Sequence, residues 1–124
     1  MTIKGKIVDG NKNGSKILSR YKVKIESLLG VDNLYPGSLN VELPSPLILK
    51  AHRGLLRKGK LPLLFTPCTV FNKRMWLISY PKSKSSHTVE IVTDTHLRSE
   101  HNLATGDVIE LTIDTKDTVW LDYA

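Results

Sequence analysis

The chain has 124 residues, 40% of them hydrophobic, and a formal net charge of +6 at pH 7. This length predicts a single domain, residues 1–124, with a substantial core. No apolar run approaches the roughly 18 residues of a membrane span, and the lone Cys68 excludes an internal disulfide. We expect no signal peptide, since residues 1–6 lack an apolar segment, and we therefore expect a cytoplasmic protein without membrane contact.

The positive charge is unevenly distributed along the chain. Residues 101–124 contain five acidic side chains and one basic one, so residues 1–100 carry a net charge of +10. Such a body suits an anionic partner, either a nucleic acid or the phosphate chain of a nucleotide. Charge alone is equally consistent with a basic surface that has no specific partner.

The first third of the chain predicts a strand followed by a helix. Residues 5–10 have the pattern of a short strand, and residues 10–14 form a turn-rich cationic connector. Apolar residues then recur at helical spacing and predict one helix, which Ser15 or Ser19 caps and Gly30 closes. The residues of this apolar stripe are Ile17, Tyr21, Ile25, Leu28 and Leu29.

A tight turn followed by an alternating segment carries the first candidate site. Pro36 fixes φ, and Gly37 permits a close backbone approach. On an extended segment Ser38 and Asn40 point to one side and Leu39 to the other. Hydroxyl and amide oxygens suit Mg²⁺, which takes few protein ligands together with phosphate and water. The alternative is a β-turn whose Ser and Asn bond their own backbone.

Strand signals dominate the rest of the chain. Residues 39–43 alternate like a half-buried strand that Pro44 and Pro46 end, and residues 50–60 predict a basic loop or an irregular strand pair. Further strands are predicted at 61–64, 68–71, 75–80, 88–92 and 108–113, with a turn at 72–74 and a short helix at 97–103. Many short strands with one or two helices predict a compact β-barrel or sandwich.

Three separated blocks together resemble the archaeal CTP-dependent riboflavin kinase family. They are residues 5–14, residues 36–41, and residues 89–98 continuing through 103–110, so the resemblance covers about 5–113. The resemblance implies a mainly β fold, a small single-domain cradle-loop barrel with six strands in a Greek-key-like order and one or two short helices. It also implies CTP as phosphate donor, riboflavin as acceptor, and Mg²⁺ held by Ser38 and Asn40.

The resemblance also implies roles for individual residues. Glu90 would be catalytic, orienting the acceptor hydroxyl or taking its proton, and Glu90 and Lys82 would contact the acceptor. The residues implied at the nucleotide are Asn11, Lys12, Asn13, Gly14, Ser15, Lys16, Thr95, His96, Leu97 and Arg98. The loop 11–16 would wrap the phosphates with backbone N–H groups, and the main chain of 95–98 would recognise the cytosine edge.

Departures from the family pattern leave the acceptor open. Lys12 stands where the family carries a glycine, and Lys16 and Ile17 stand where an aromatic pair is common. A CTP-dependent kinase of a different small alcohol is therefore an alternative, and so is a nucleotide sensor without turnover.

The rival from another class is a nucleic-acid-binding barrel related to swapped-hairpin transcription factors. Its phosphate contacts would come from Lys50, Arg53, Arg57, Lys58 and Lys60. We favour the kinase because the polar residues at 38, 40 and 90 have no role in nucleic-acid binding.

Overall fold

The structure, a computed structural model, describes residues 2–10, 13–47, 53–79 and 86–113. Within these ranges seven antiparallel strands and three short helices follow one another along the chain. They are β1 (Thr2–Val8), α1 (Asn13–Arg20), α2 (Lys22–Leu29), β2 (Leu39–Leu47), β3 (Arg53–Arg57), β4 (Lys60–Val70), β5 (Lys73–Ser79), β6 (Ser86–Val92), α3 (Leu97–Glu100) and β7 (Val108–Ile113). None of the helices in the described ranges has the length and apolar character needed to span a membrane.

Six of the strands close into a barrel. The sheet order is β3-β4-β5-β6-β2-β1-β7, and β4 also pairs with β7, so the ring runs through every strand except β3. β3 extends the sheet as a hairpin partner of β4. The predicted mainly β fold with a six-stranded barrel is confirmed.

Two apolar clusters stabilise the molecule, one inside the barrel and one beneath the helices. β5 serves both, because its side chains alternate across the sheet. Met75 and Leu77 belong to the barrel interior, whereas Trp76 and Ile78 contact the cluster that α1 and α2 cover. The helices therefore lie over the outer face of β4 and β5. Cys68 is a buried residue of the barrel core, where it packs as a small apolar side chain.

The predicted single helix is wrong in its start and its continuity. It begins at Asn13, so neither Ser15 nor Ser19 caps it, and it is divided at Tyr21. Helical hydrogen bonds nevertheless cross the division, from Tyr21 N–H to the Ile17 carbonyl at 3.1 Å and from the next turn back to the Tyr21 carbonyl at 2.9 Å. Leu18 is buried against the sheet and anchors the first turns, which the local pattern does not reveal. Gly30 closes α2 with a φ of 70°, as predicted.

Prolines end fewer strands than the sequence predicts. β2 continues through Pro44 and Pro46 to Leu47, because its ladder with β6 shifts register after Glu42. A proline is tolerated at such an irregularity, where its missing N–H breaks no regular ladder bond. The prediction that Pro44 and Pro46 end the strand is therefore wrong.

The two strands predicted at 61–64 and 68–71 are one continuous strand, β4. Its pairing with β3 reaches Phe65, and its pairing with β7 begins at Cys68. Pro67 lies between these two stretches and is paired to Trp76 of β5 alone. The missing proline N–H costs nothing where the strand changes neighbours, so the chain remains extended.

Two boundaries near the ends of strands also differ from prediction. The β4–β5 turn is Phe71–Asn72, both with positive φ, and the predicted turn residues 73 and 74 belong to β5. A two-residue hairpin favours this conformation because its twist matches the flanking strands. The helix predicted at 97–103 comprises only Leu97–Glu100. The final strand, 108–113, has the predicted bounds.

Candidate active site

The register of the paired strands brings four strand ends to one rim of the barrel. Val8 at the end of β1 pairs with Asn40 near the start of β2, and Leu39 pairs with Ile91 near the end of β6. The last described β1–β7 pair places Val108, the first residue of β7, beside β1. The segments after β1, before β2, after β6 and before β7 therefore meet at this rim, although they lie far apart in the sequence.

A polar cluster of three side chains lies at the rim. Ser38 Oγ donates a hydrogen bond to Glu90 Oε1 at 3.1 Å. Asn40 and Glu90 are directly paired between β2 and β6, so their side chains lie side by side on one face. Their neighbours along both strands belong to the barrel core, which puts the cluster on the outer surface. The predicted neighbours Ser38 and Asn40 thus share a site with Glu90.

The electrostatic environment of Glu90 favours its protonated form. Burial raises the pKa of the Glu90 carboxyl, and the hydrogen bond from Ser38 opposes that rise. A carboxylate that is partly desolvated is a stronger proton acceptor than an exposed one, which is a property of general bases.

The loop after β1 lies directly on the polar cluster. A Cβ built on Gly10 would approach Asn40 Nδ2 to 1.9 Å and Cγ to 2.5 Å, so any larger residue would displace the Asn40 side chain from its present position. Glycine permits this contact between the loop backbone and the amide as it stands. The first two sequence blocks are therefore adjacent in space.

The segment before β2 and the segment after β6 form the two walls of an open cleft. Tyr35 stacks on His96 with ring centroids 5.1 Å apart, and Tyr35 N–H donates to the Thr93 carbonyl at 2.9 Å. Thr95 Oγ1 is buried and has no hydrogen-bond partner among the described residues. The cleft, counted with its open solvent side, encloses a space of about 320 Å³. Its lining residues are Tyr35, Gly37, Ser38, Leu39, Ile91, Thr93, Thr95, His96, Leu97 and Arg98.

The predicted phosphate loop is partly helical. Asn13, Gly14, Ser15 and Lys16 form the first turn of α1 rather than a loop, because the helix extends upstream of its apolar anchor. Lys16 is exposed. Asn11, Lys12 and Lys82 lie outside the described residues.

Residues that sequence reasoning missed complete the rim. Tyr35 precedes the predicted turn, and its ring lines the cleft. Asp9 and Thr105 bond to Arg98, at 3.3 and 3.1 Å. Thr105 lies just before Gly106, inside the third block, so its position in a turn was the available signal. Asp9 had no signal beyond its place beside Gly10.

The cysteine contributes no nucleophile to this site. Burial raises the pKa of the Cys68 thiol to about 12, so it stays protonated at neutral pH. Its side chain lies in the barrel core.

A closed barrel that combines hydroxyl, amide and carboxylate oxygens with a glycine-bearing loop has the parts that phosphoryl transfer requires. The model of the CTP-dependent riboflavin kinase family, described as a domain of unknown function, DUF120, matches residues 7–113. The chain belongs to this family of transferases. It is also 29% identical over 118 residues to the riboflavin kinase of Staphylothermus marinus, with 90% of each chain covered. These findings confirm the resemblance drawn from the three sequence blocks.

Proposed function

We propose that the protein transfers the γ-phosphate of CTP to the 5′-hydroxyl of riboflavin, giving FMN and CDP with the assistance of Mg²⁺. The observation that carries this proposal is the rim cluster, in which the Ser38–Glu90 hydrogen bond lies beside Asn40 and the backbone of Gly10 rests on the Asn40 amide. Oxygen ligands, a proton acceptor and a glycine-bearing loop meet there. Phosphoryl transfer depends mainly on such positioning and charge neutralisation.

The rim cluster is chemically suited to magnesium. Ser38 and Asn40 would hold the ion through their hydroxyl and amide oxygens, together with donor phosphates and water, the hard ligands that it prefers. When bound, Mg²⁺ neutralises negative charge on the donor phosphates. The pairing of β2 with β6 keeps Asn40 beside Glu90, so both ends of the transfer are supported by one rigid sheet.

The donor would occupy the cleft between the two rim segments. The backbone N–H groups of the N-terminal turn of α1 would bind the phosphates, and Lys16 would add positive charge. Residues 95–98 line the cleft, and their main chain would recognise the base.

Glu90 would act on the acceptor. Its carboxylate would accept the proton of the 5′-hydroxyl as the oxygen attacks the γ-phosphate, and CDP would leave. The raised pKa of Glu90, caused by burial, supports this role. The Ser38 hydrogen bond orients the carboxylate without removing its second oxygen from use.

One of the departures from the family pattern has a structural explanation. Ile17, which stands where the family often carries an aromatic residue, is half-buried and contacts the cluster beneath the helices. Isoleucine in place of an aromatic residue would therefore affect the site through the position of α1. A different small alcohol as acceptor remains the alternative within the same chemistry.

The donor assignment predicts a ligand-dependent stabilisation. CTP with Mg²⁺ at about 100 times its dissociation constant should add roughly 2.7 kcal/mol to the free energy of unfolding. A thermal-shift panel of CTP, ATP, GTP and UTP measures it, and chromatography of a reaction with riboflavin, CTP and Mg²⁺ detects FMN. Absence of a shift with every triphosphate contradicts the proposal, and a preference for ATP contradicts its cytosine specificity. CTP binding without FMN would indicate a different acceptor.

A second candidate function, nucleic-acid binding, is favoured by the grouping of basic side chains. The guanidinium carbons of Arg20 and Arg57 lie 5.8 and 5.6 Å from the centroid of the Tyr21 ring. The helices and the β3–β4 hairpin thus contribute cations to one face. Antiparallel pairing with β7 directs the Val70 end of β4 toward the rim, so the turn at Lys58 lies toward the other end of the barrel.

Charge reversal on this face separates the two functions. In the double variant Arg57→Glu/Lys58→Glu, phosphoryl transfer should be nearly unchanged because these residues are remote from the rim. A nucleic-acid complex should weaken, and the slope of its salt dependence should fall by roughly 0.9 for each lost phosphate contact. The matched control is Lys4→Glu/Lys6→Glu, which changes the net charge equally on exposed positions of β1. The second function would be favoured by three results together. The wild type retards duplex DNA in a gel, only the first variant loses this binding, and the wild type forms no FMN.

A further inference from the structure

Arg98 connects three parts of the rim that are distant in the sequence. Its Nη2 donates to the Val8 carbonyl and to Asp9 Oδ1, both at 3.3 Å. Its Nη1 donates to Thr105 Oγ1 at 3.1 Å. The Thr105 hydroxyl in turn donates to Asp9 Oδ1 at 2.7 Å. The four groups form a closed circuit at the end of β1, which we call the Arg98 clamp.

The Arg98 clamp acts at the point where a rigid strand becomes a loop. Both backbone polar groups of Ile7 are hydrogen-bonded. Its N–H donates to the Asp107 carbonyl and its carbonyl accepts from Gly106 N–H, each at 2.8 Å. Three residues later Gly10 lies against the Asn40 amide. Asp9 is the link between these two fixed points, and Arg98 bonds to it.

The solvent exposure of the Arg98 clamp indicates a geometric role. The Arg98 and Asp9 side chains are 31% and 82% exposed, and an ion pair in that environment adds little to stability. A planar guanidinium, however, holds three acceptors in one fixed arrangement, which the single ammonium of lysine does not reproduce. The contact therefore contributes to the position of the loop backbone more than to the stability of the fold.

We propose that Arg98 is a positioning residue that holds the loop after β1 on Asn40 and couples that loop to the α3 wall of the cleft. The loop after β1 and the α3 wall of the cleft then form one unit, so the phosphates would meet the loop backbone and the rim oxygens in a single arrangement. The identity of the ligand in this inference rests on the proposed function, whereas the Arg98 clamp itself does not.

The competing role for Arg98 is direct contact with the nucleotide, since its side chain also lines the cleft. The two roles differ in their dependence on Thr105, which is absent from the cleft lining. A direct phosphate contact would be partly preserved by Arg98→Lys and insensitive to Thr105→Val. A positioning role predicts that Arg98→Lys does not preserve activity with CTP, and that Thr105→Val loses part of that activity as well.

The first measurement is the backbone order parameter of Gly10, obtained from NMR relaxation of the protein without ligand. Arg98→Lys, Asp9→Ala and Thr105→Val should each lower this order parameter, while Arg53→Lys on the exposed strand β3 should not. An unchanged order parameter at Gly10 in the first two variants overturns the proposal. This result is obtained whether or not the wild type binds CTP, so failure of the proposed function is separately visible as a wild type that binds no triphosphate.

The second measurement is a double-mutant cycle on the entire 124-residue chain. Arg98→Lys and Asp9→Ala should each lower kcat/KM for CTP, by up to about 100-fold, because the donor phosphates are misplaced. The KM for the acceptor should be unchanged, and the melting temperature should change little. The double variant should be no worse than the more damaging single variant, since both break one unit. Losses that multiply in the double variant would overturn the proposal and assign Arg98 a direct contact.

Discussion

Asn40→Ala is expected to lower the turnover number of phosphoryl transfer by about 10²–10³-fold, the usual loss when one preorganised electrostatic contact to the reacting group is removed. The Asn40 amide lies beside Glu90 and against Gly10. Its removal takes one oxygen from the proposed metal site and a support from the loop. The core contacts of this part of β2 come from Leu39 and Val41, so the melting temperature should change little. Steady-state FMN formation and scanning calorimetry measure the two effects.

Two further variants make the Asn40 result specific. Glu42→Ala removes the next outward side chain of β2, which is exposed and paired with Thr88 away from the rim, and it should leave turnover unchanged. Asn40→Asp retains an oxygen ligand and should keep more activity than Asn40→Ala. Wild-type turnover in Asn40→Ala would mean that this turn has only a structural role.

Glu90→Gln is expected to lower the rate of transfer by about 10²–10⁴-fold, the contribution of a positioned general base. Glutamine keeps an oxygen that accepts the Ser38 hydrogen bond, but it accepts no proton from the substrate. The affinity for CTP should be retained, because Glu90 is assigned to the acceptor side. Single-turnover kinetics measure the loss, and titration calorimetry measures CTP binding.

Stability and a matched carboxylate test the Glu90 assignment. Burial disfavours the charged carboxylate and raises its pKa, so the neutral amide should not lower the melting temperature. Glu110→Gln changes an exposed residue of β7 and should leave transfer unaffected. An unchanged rate in Glu90→Gln, or a loss of CTP affinity equal to the loss of rate, would contradict the role given to Glu90.

Local pattern predicted the strands well wherever one face of the sheet is buried. β7 alternates strictly between exposed and buried residues, and its predicted bounds 108–113 are the observed ones. The prediction failed where neighbours decide the outcome. β4 continues through Pro67 because the strand exchanges β3 for β7 at that point. No local pattern encodes which strand lies alongside.

In the helical region, too, the local pattern predicted one boundary and tertiary packing decided the other. The apolar stripe predicted a helix ending at Gly30, which the structure confirms. The extension upstream to Asn13 depends on the packing of Leu18 against the sheet. Tertiary burial stabilises a first turn that has weak intrinsic helix propensity, since asparagine, glycine and serine all disfavour helix interiors.

The sequence by itself determined the short-range geometry of the candidate site. Ser38 and Asn40 share one side because side chains alternate along an extended chain. The tertiary structure alone decided which distant groups join them. Glu90 meets Ser38 across 52 residues, and Asp9 meets Arg98 across 89. The physical reason is that barrel closure and strand register are set by the packing of whole sheets, and local periodicity carries no information about either.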